Sequence, residues 1–445
     1  MQNENTANPA LSPTEKSARI NSLDVIRGIS LLGILLMNIV GFGLYNAYMD
    51  PTINGGSEGW NLNAWLATSL FFEGTMRAMF SMLFGIGIIL FTSKTNAGNG
   101  SEVTDLFFRR LWWLFLFGII HCYLLLWNGE ILYAYAIIGM FAFSFRHLPA
   151  KKLIIIASVF LALAICWEIN DRLADVELQE TVAQAEAKKI KGEVLTKDES
   201  GALEAMEEKI KKNKPDAEKI KEEIDAQHQG YWDIVLHKVP ENQWMQTTFL
   251  YRYDFFDVLA MMLLGMALFK MQIITAGKSI KFYGLMVILG YSIGLTVNYW
   301  EASTLIADNF SMSAFSKTFQ TYHIGRLAMT MGHIGLIMLF IKSGWLMFLQ
   351  RSLAAVGQMA LTNYISHTII CNIFFLGFDY FGMLQRYELY YLVFSIWIFQ
   401  LIVSPIWLKY YYFGPMEWVW RCLTYWKRQP FGKLNRGSHH YGWDK

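Results

Sequence analysis

The sequence predicts an all-α, polytopic membrane protein of about ten transmembrane helices with one soluble helical insert, and three observations predict it. Apolar runs of about 20 residues, the length that crosses a bilayer core, recur along the chain. Only 17% of the residues are charged while 54% are hydrophobic, where a soluble domain carries about 25% charge. Lysine and arginine crowd into alternate short loops, as the positive-inside rule requires.

The spans fall at Ile26–Tyr45, Trp65–Phe91, Phe107–Trp127, Ile131–Phe145, Leu153–Trp167, Phe249–Phe269, Phe282–Tyr299, Ile324–Ile341, Leu353–Phe378 and Tyr390–Tyr410. Lys16, Arg19, Lys94, Arg109, Arg110, Arg146, Lys151, Lys152, Lys270, Lys278, Lys281, Lys342, Arg351 and the basic tail share one side. Both termini are therefore expected in the cytoplasm, with the protein in a bacterial inner membrane. The organisation that follows is a tail over 1–22, five spans over 23–167, a charged extracytoplasmic insert over 168–246, five spans over 247–411, and an interfacial tail over 412–445. The polar first residues end without a cleavage site, so the first span acts as its own insertion signal. The net charge of +2 does not identify a partner, because the charges lie on two sides of a bilayer. The four cysteines have neither metal-ligand spacing nor a disulfide pattern.

The first span carries Asp24, Arg27 and Asn38. Arg27 and Asn38 are eleven residues apart, close to three helical turns, so they share a face that must look into protein or a cavity. In the second span Ser69, Glu73, Arg77 and Ser81 recur every four residues, which lets Glu73 and Arg77 pair, either as a packing ion pair or as part of a site. The third span sets Arg110 and His121 eleven apart, with Asn128 seven further on. His121 and Glu73 each lie several residues inside the outer surface, at a shared depth of about 10 Å. They read as a packed imidazole and a structural carboxylate, or as an acid/base pair. Arg326, Thr330 and His333 share a face of the eighth span, and Asn363, Ser366 and His367 one of the ninth. Each is a site group or a satisfied packing group.

From Glu168 to Gln246 the composition turns to Glu, Lys, Ala and Gln. Its few apolar positions suit a solvated helical hairpin, broken near Asn213-Lys214-Pro215, and a lid over an outer site is the alternative. The tail FGPMEWVWRCLTYW interleaves aromatic and basic residues, as a helix at the headgroups needs, and Arg421 is available there to phosphates. No phosphate-binding glycine loop, zinc-protease motif or nucleophile elbow is present, and nothing points to a metal or to nucleic acid.

The segments SLDVIRGISLLGILLMNI, FFEGTMRAMFSMLFGIG, GIIHCYLLLWNGEILYAYAIIG, FFDVLAMMLLGMALFK, GQMALTNYISHTII and FGPMEWVWRCLTYW, in that order, resemble the YeiB-like family of bacterial inner-membrane proteins, a domain of unknown function. Glu130 stands where that family usually has Asp. The LDxxRG opening, with a polar residue eleven after the Arg, is more distantly similar to transmembrane acyltransferases, which pass an acyl group from cytoplasmic acyl-CoA to a sugar on the far side. The O-acyltransferases among them carry His at the position of Asn38, so that role passes to another residue here, and His121 is the best placed. The resemblance implies acyl-CoA as donor and an envelope glycan as acceptor. Arg27, Arg77 and Arg110 would then meet the CoA phosphates, His121 would be the base, and Glu73 would orient it. A small-molecule transporter or exporter, using the same polar residues as its pathway, is the alternative, and a structural envelope partner a third.

Overall fold

The computed structural model describes residues 20–433 apart from 49, 55, 94–99 and 215. Lys16, Arg19, Lys94, Pro215, nearly all of the 1–22 tail and the end of the chain lie outside the described residues. Within them every extended regular element is helical. Helix α1 (Asn21–Gly43) is the hub: most of it is buried, against α3 (Thr75–Thr92), α13 (Met347–Gln358), α14 (Ala360–Asn372) and α15 (Leu389–Tyr410). The polar face of the first span thus meets protein, where intramembrane charge is tolerable.

Gly28 and Gly357 let α1 and α13 touch backbone to backbone. A Cβ on Gly28 would run into the Leu353 carbonyl, and one on Gly357 into the Asp24 carbonyl. These atoms cannot swing aside as a side chain does, so Gly28→Val is expected to cost at least about 1–3 kcal/mol in overpacking. Size-exclusion recovery from detergent should fall for Gly28→Val and stay at the wild-type level for Gly87→Ala, whose Cβ would meet open space.

Among the described residues six helical stretches are long and apolar enough to cross a membrane: α1, Gly59–Thr92, α6 (Ala150–Lys191), α11 (Ile280–Ala307), α12 (Met312–Ser343) and α15. A seventh arises if Met347–Gln358 and Ala360–Gly377, bent by 82°, form one span. The chain is a multi-pass membrane protein, and α11 and α15 turn Leu285, Ile288, Ile293, Phe394, Ile398 and Ile402 outward, as contact with lipid requires. The remaining spans of the expected ten correspond to α4 (Gly100–Tyr123), α5 (Leu132–Phe143) and α10 (Phe255–Lys270). Helices α5 and α10 have 12 and 16 residues, short of a full crossing, and α4 carries Glu102, Asp105, Arg109 and Arg110 in its first half.

The second expected span is not continuous. Helix α2 (Gly59–Phe71) ends before Gly74, which takes φ 64° and starts α3. A side chain there would also meet the Tyr322 hydroxyl and Arg326 Cδ. The carbonyls exposed at the end of α2 are satisfied from neighbouring helices: Asn298 Nδ2 donates to Leu70 O at 2.8 Å and His333 Nε2 to Phe71 O at 2.7 Å. The four-residue spacing of Glu73 and Arg77 therefore crosses a break, and their expected pair does not form.

Helix α6 runs for 42 residues, about 63 Å, roughly twice a bilayer core, so the fifth span continues straight into the insert. Helix α7 (Lys197–Asn213) folds back on it through a Thr196/Glu199 capping box and the pairs Lys188–Glu199 and Lys209–Asp175. Hydrogen bonding from Lys188 holds Glu199 below the usual carboxylate range. Helices α8 (Ala217–Gln227) and α9 (Tyr231–Trp244) then lie on the bundle. His228 meets Phe381 O, Tyr231 donates to Leu124 O at 2.6 Å, and Ile234 and Val235 bury against Leu126. Ile234 and Val235 of the insert thus serve this docking, while Ile190, Val194 and Leu236 stay exposed.

Candidate functional site

Among the described residues, the helical core holds two buried centres that contain carboxylates and basic groups, and a cavity. The first centre joins α3, α10 and α12. Arg77 Nη1 donates to Asp254 Oδ1 at 2.7 Å and Nη2 to Asp257 Oδ2 at 3.2 Å. Arg326 grips Asp257 with both terminal nitrogens, Nη1 reaching Oδ2 at 2.6 Å, and Nη2 also meets His323 Nδ1 at 3.1 Å. Two guanidiniums and two carboxylates balance in charge, and Asp257, only 2% exposed, bridges both arginines. Such an arrangement fixes helix position, because removing either sign strands the other in low dielectric. Arg77 is thus occupied here and not at a phosphate site.

The second centre surrounds His121, which is 1% exposed. Its Nε2 lies 2.7 Å from Thr368 Oγ1 on α14 and its Nδ1 3.5 Å from Glu130 Oε1. Glu130 is held by the amides that open α5, accepting from Leu132 N at 2.5 Å and Tyr133 N at 2.8 Å. The Tyr364 ring stands edge-on to the imidazole, centroids 5.0 Å apart. The carboxylate beside His121 is Glu130 and not Glu73. Glu73, just past the end of α2, is half-buried, its carboxylate makes no hydrogen bond or ion pair among the described residues, and it lies within electrostatic reach of Arg77 and Arg386. Equal depth on two helices does not bring side chains together when one helix breaks between them.

The cavity, about 430 Å³, is lined from α1, α3, α4, α5, α13, α14 and α16 (Pro415–Tyr425). Arg27, Arg110 and Arg421 mark one end and Tyr135 and Tyr364 the other, with Leu83, Phe84, Leu111 and Leu114 among the apolar walls between. Tyr364 touches His121, which follows Arg110 on α4 by eleven residues, about 16 Å of helix. At the charged end Arg27 pairs with Asp24 at 2.9 Å. Arg110 lies over the rings of Trp420 and Phe91, at 4.1 and 5.3 Å, and has no carboxylate partner among the described residues. The Trp420 indole donates to Arg110 O at 3.0 Å, tying α16 to α4. Glu417 also lines the cavity, but it caps α14, accepting from Leu361 N at 2.6 Å and Thr362 N at 3.0 Å. The site therefore offers an excess of guanidinium charge at its mouth and a greasy interior ending at a tyrosine and an imidazole.

Other expected site residues lie elsewhere. Arg326 belongs to the aspartate centre. His333 is saturated, by Phe71 O and by Tyr291 Oη at 2.9 Å, and serves as a helix cap. His367 meets Gln400 Oε1 at 3.0 Å, Asn363 Nδ2 donates to Val356 O and Ser404 Oγ at 3.1 Å, and Gln400 returns to Asn363 O, a network joining α14 to α15. Asn38 and Asn128 are half-buried, make no side-chain hydrogen bond among the described residues, and do not line the cavity. No group of three or more His, Cys, Asp or Glu is placed to hold a metal among the described residues. Reading the sequence missed Asp254, Asp257, Tyr135, Tyr364 and Thr368. Asp257 had a signal, since a carboxylate in the run FFDVLAMMLLGMALF needs a partner in the fold.

Residues 268–427 match the family described as "Protein of unknown function (DUF418)". The chain is 29% identical over 411 residues to the uncharacterized protein YeiB of Escherichia coli, covering 91% of this chain and 95% of that one. The chain is thus similar to YeiB along nearly its whole length. It is also 26% identical over 450 residues to the uncharacterized protein YxaH of Bacillus subtilis, 96% of this chain and 99% of that protein. An uncharacterized 39.9 kDa protein in the amylase 3' region of Bacillus acidopullulyticus is 26% identical over 440 residues, 94% and 98% of the two chains. No solved structure matches. The DUF418 match takes in Arg326, Tyr364, Thr368 and Arg421 and leaves out Arg27, Arg110 and His121, so the cavity is built from both halves of the sequence.

Proposed function

We propose that the protein is an acyltransferase that takes an acyl group from acyl-CoA at its cytoplasmic face and passes it to an extracytoplasmic acceptor such as a glycan. The observation that carries this reading is the cavity, cationic at one end and apolar along its length, whose inner end meets the imidazole of His121 through Tyr364. An acyl-CoA has the matching polarity: phosphates for Arg27, Arg110 and Arg421, an acyl chain for the walls, and a thioester between them. The lysine and arginine count supports a cytoplasmic setting for this mouth and for both termini. His121 takes the proton of an attacking hydroxyl or amine, and Glu130 orients the ring and stabilises its charged form. The docked insert covers the opposite end as a lid. Transport is the second reading, favoured by the buried Arg77–Asp254–Asp257–Arg326 centre, which adjoins the cavity at Tyr135, whose hydroxyl donates to Arg77 O at 3.4 Å.

Inverted membrane vesicles containing the protein, given acyl-labelled acetyl-CoA or palmitoyl-CoA, should transfer label to envelope carbohydrate or lipid. Vesicles lacking the protein should not. Labelling no higher than in those controls with either donor would refute the reading, and uptake of intact solute without acylation would favour a carrier.

A further inference from the structure

We propose that Thr368 is the nucleophile that receives the acyl group first, so that transfer passes through an acyl-threonine ester inside the helical bundle. This rests on the acyl-CoA reading above and adds a residue and an intermediate to it. Thr368 Oγ1, His121 Nε2, His121 Nδ1 and Glu130 Oε1 follow one another as hydroxyl, imidazole and carboxylate, at 2.7 and 3.5 Å. That order activates a hydroxyl: Nε2 accepts its proton while Nδ1–H faces the carboxylate, whose position the α5 amides fix.

A second observation is independent of the first. The Tyr364 hydroxyl and the Trp127 indole N–H are buried and lie against one another, and neither makes a well-aligned hydrogen bond among the described residues. Buried donors without a well-aligned partner are rare, and the Tyr364 hydroxyl, on a ring that meets His121, suits an oxyanion that exists only during reaction. Tyr364 precedes Thr368 by four residues on α14, so both lie on one helix face, and Tyr364 also lines the inner end of the cavity. A thioester carbonyl brought to Tyr364 thus meets donor, nucleophile and base together. A covalent relay also lets the CoA remain at the arginines while an acceptor arrives from the opposite side.

In the first step Thr368 Oγ attacks the thioester carbonyl carbon and its proton passes to His121 Nε2. The C–S bond breaks, and the CoA thiolate leaves with that proton, as the thiol. In the second step an acceptor hydroxyl attacks the threonine ester and gives its proton to His121. The ester C–O bond breaks, and the proton returns to Thr368 Oγ. Nothing is oxidised or reduced.

The test uses the purified full chain in detergent with acetyl-CoA, and in parallel palmitoyl-CoA, without any acceptor. Released thiol and peptide masses are followed, and donor binding is measured on the same samples. The expected result is one equivalent of CoA released per chain and one acyl group on the peptide containing Thr368. Thr368→Val should abolish both, Thr368→Ser should retain both, and Tyr364→Phe should slow release by about 10²-fold or more. A wild-type chain that binds donor but neither releases CoA nor gains mass would overturn the threonine ester and leave the acyltransferase reading standing with direct transfer. An undiminished adduct in Thr368→Val would likewise place the nucleophile elsewhere. Absence of binding by either donor would remove the acyl-CoA reading and this step with it.

Discussion

Asp257→Ala is expected to lower the stability of the folded protein by about 3–5 kcal/mol, the cost of breaking a buried ion pair from one side. Asp257 receives Arg77 from α3 and Arg326 from α12, so its loss leaves two guanidiniums facing each other without the charge that joined them. Asp254 can still hold Arg77, at 2.7 Å, whereas Arg326 keeps only His323. Pairing Asp257→Ala with Arg326→Met should therefore recover part of the loss, because it removes the stranded charge as well as its partner. Thermal unfolding in detergent measures both variants against wild type. A wild-type midpoint for Asp257→Ala would mean that this centre does not hold the helices, and would strengthen a role in ion passage.

His121→Ala is expected to reduce acyl transfer by about 100-fold or more, the usual contribution of a positioned general base. Glu130→Gln should give a partial loss, since its one amide oxygen can still accept from either Leu132 N or Tyr133 N while the charge facing His121 disappears. The double variant should be little worse than His121→Ala, because two residues that act as a unit are not additive. Glu73→Gln, by contrast, should leave the rate per folded molecule near wild type. Rates normalised to folded protein decide among these. A His121→Ala variant with lower yield but full specific activity would leave the imidazole as a packing group joining α4, α5 and α14.

What could be read in the sequence was whatever a single helix displays. Arg27, Arg110 and His121 stand out because a charged or titratable residue in an apolar run needs a protein partner, and the eleven-residue spacing identifies the face. The partners were not legible. Arg77 reaches carboxylates 177 and 180 residues away, and His121 reaches Thr368 across 247. Only the packing of distant helices creates those contacts. Glu73 and Arg77 look like neighbours at a spacing of four, yet Gly74 breaks the helix between them. His333 looks like a site histidine but closes the end of α2, a need that arises from that same unseen break. The cavity depends on the 82° turn between α13 and α14, where Glu417 caps the new helix from a segment more than fifty residues later.

Equilibrium binding of radiolabelled acyl-CoA to the purified protein tests the assignment of the cavity most directly, with Arg110→Gln and Gly87→Phe as the two probes. Arg110 stands at the charged end, and Gly87 lines the cavity with open space where a side chain would begin. Saturable binding that free CoA displaces is expected in wild type. Arg110→Gln should weaken it by about ten- to a hundredfold, the worth of one charged hydrogen bond to phosphate, and Gly87→Phe should weaken binding of the acyl-CoA more than of CoA itself. Absence of saturable binding, or binding indifferent to both substitutions, would contradict the placement of an acyl-CoA in this cavity.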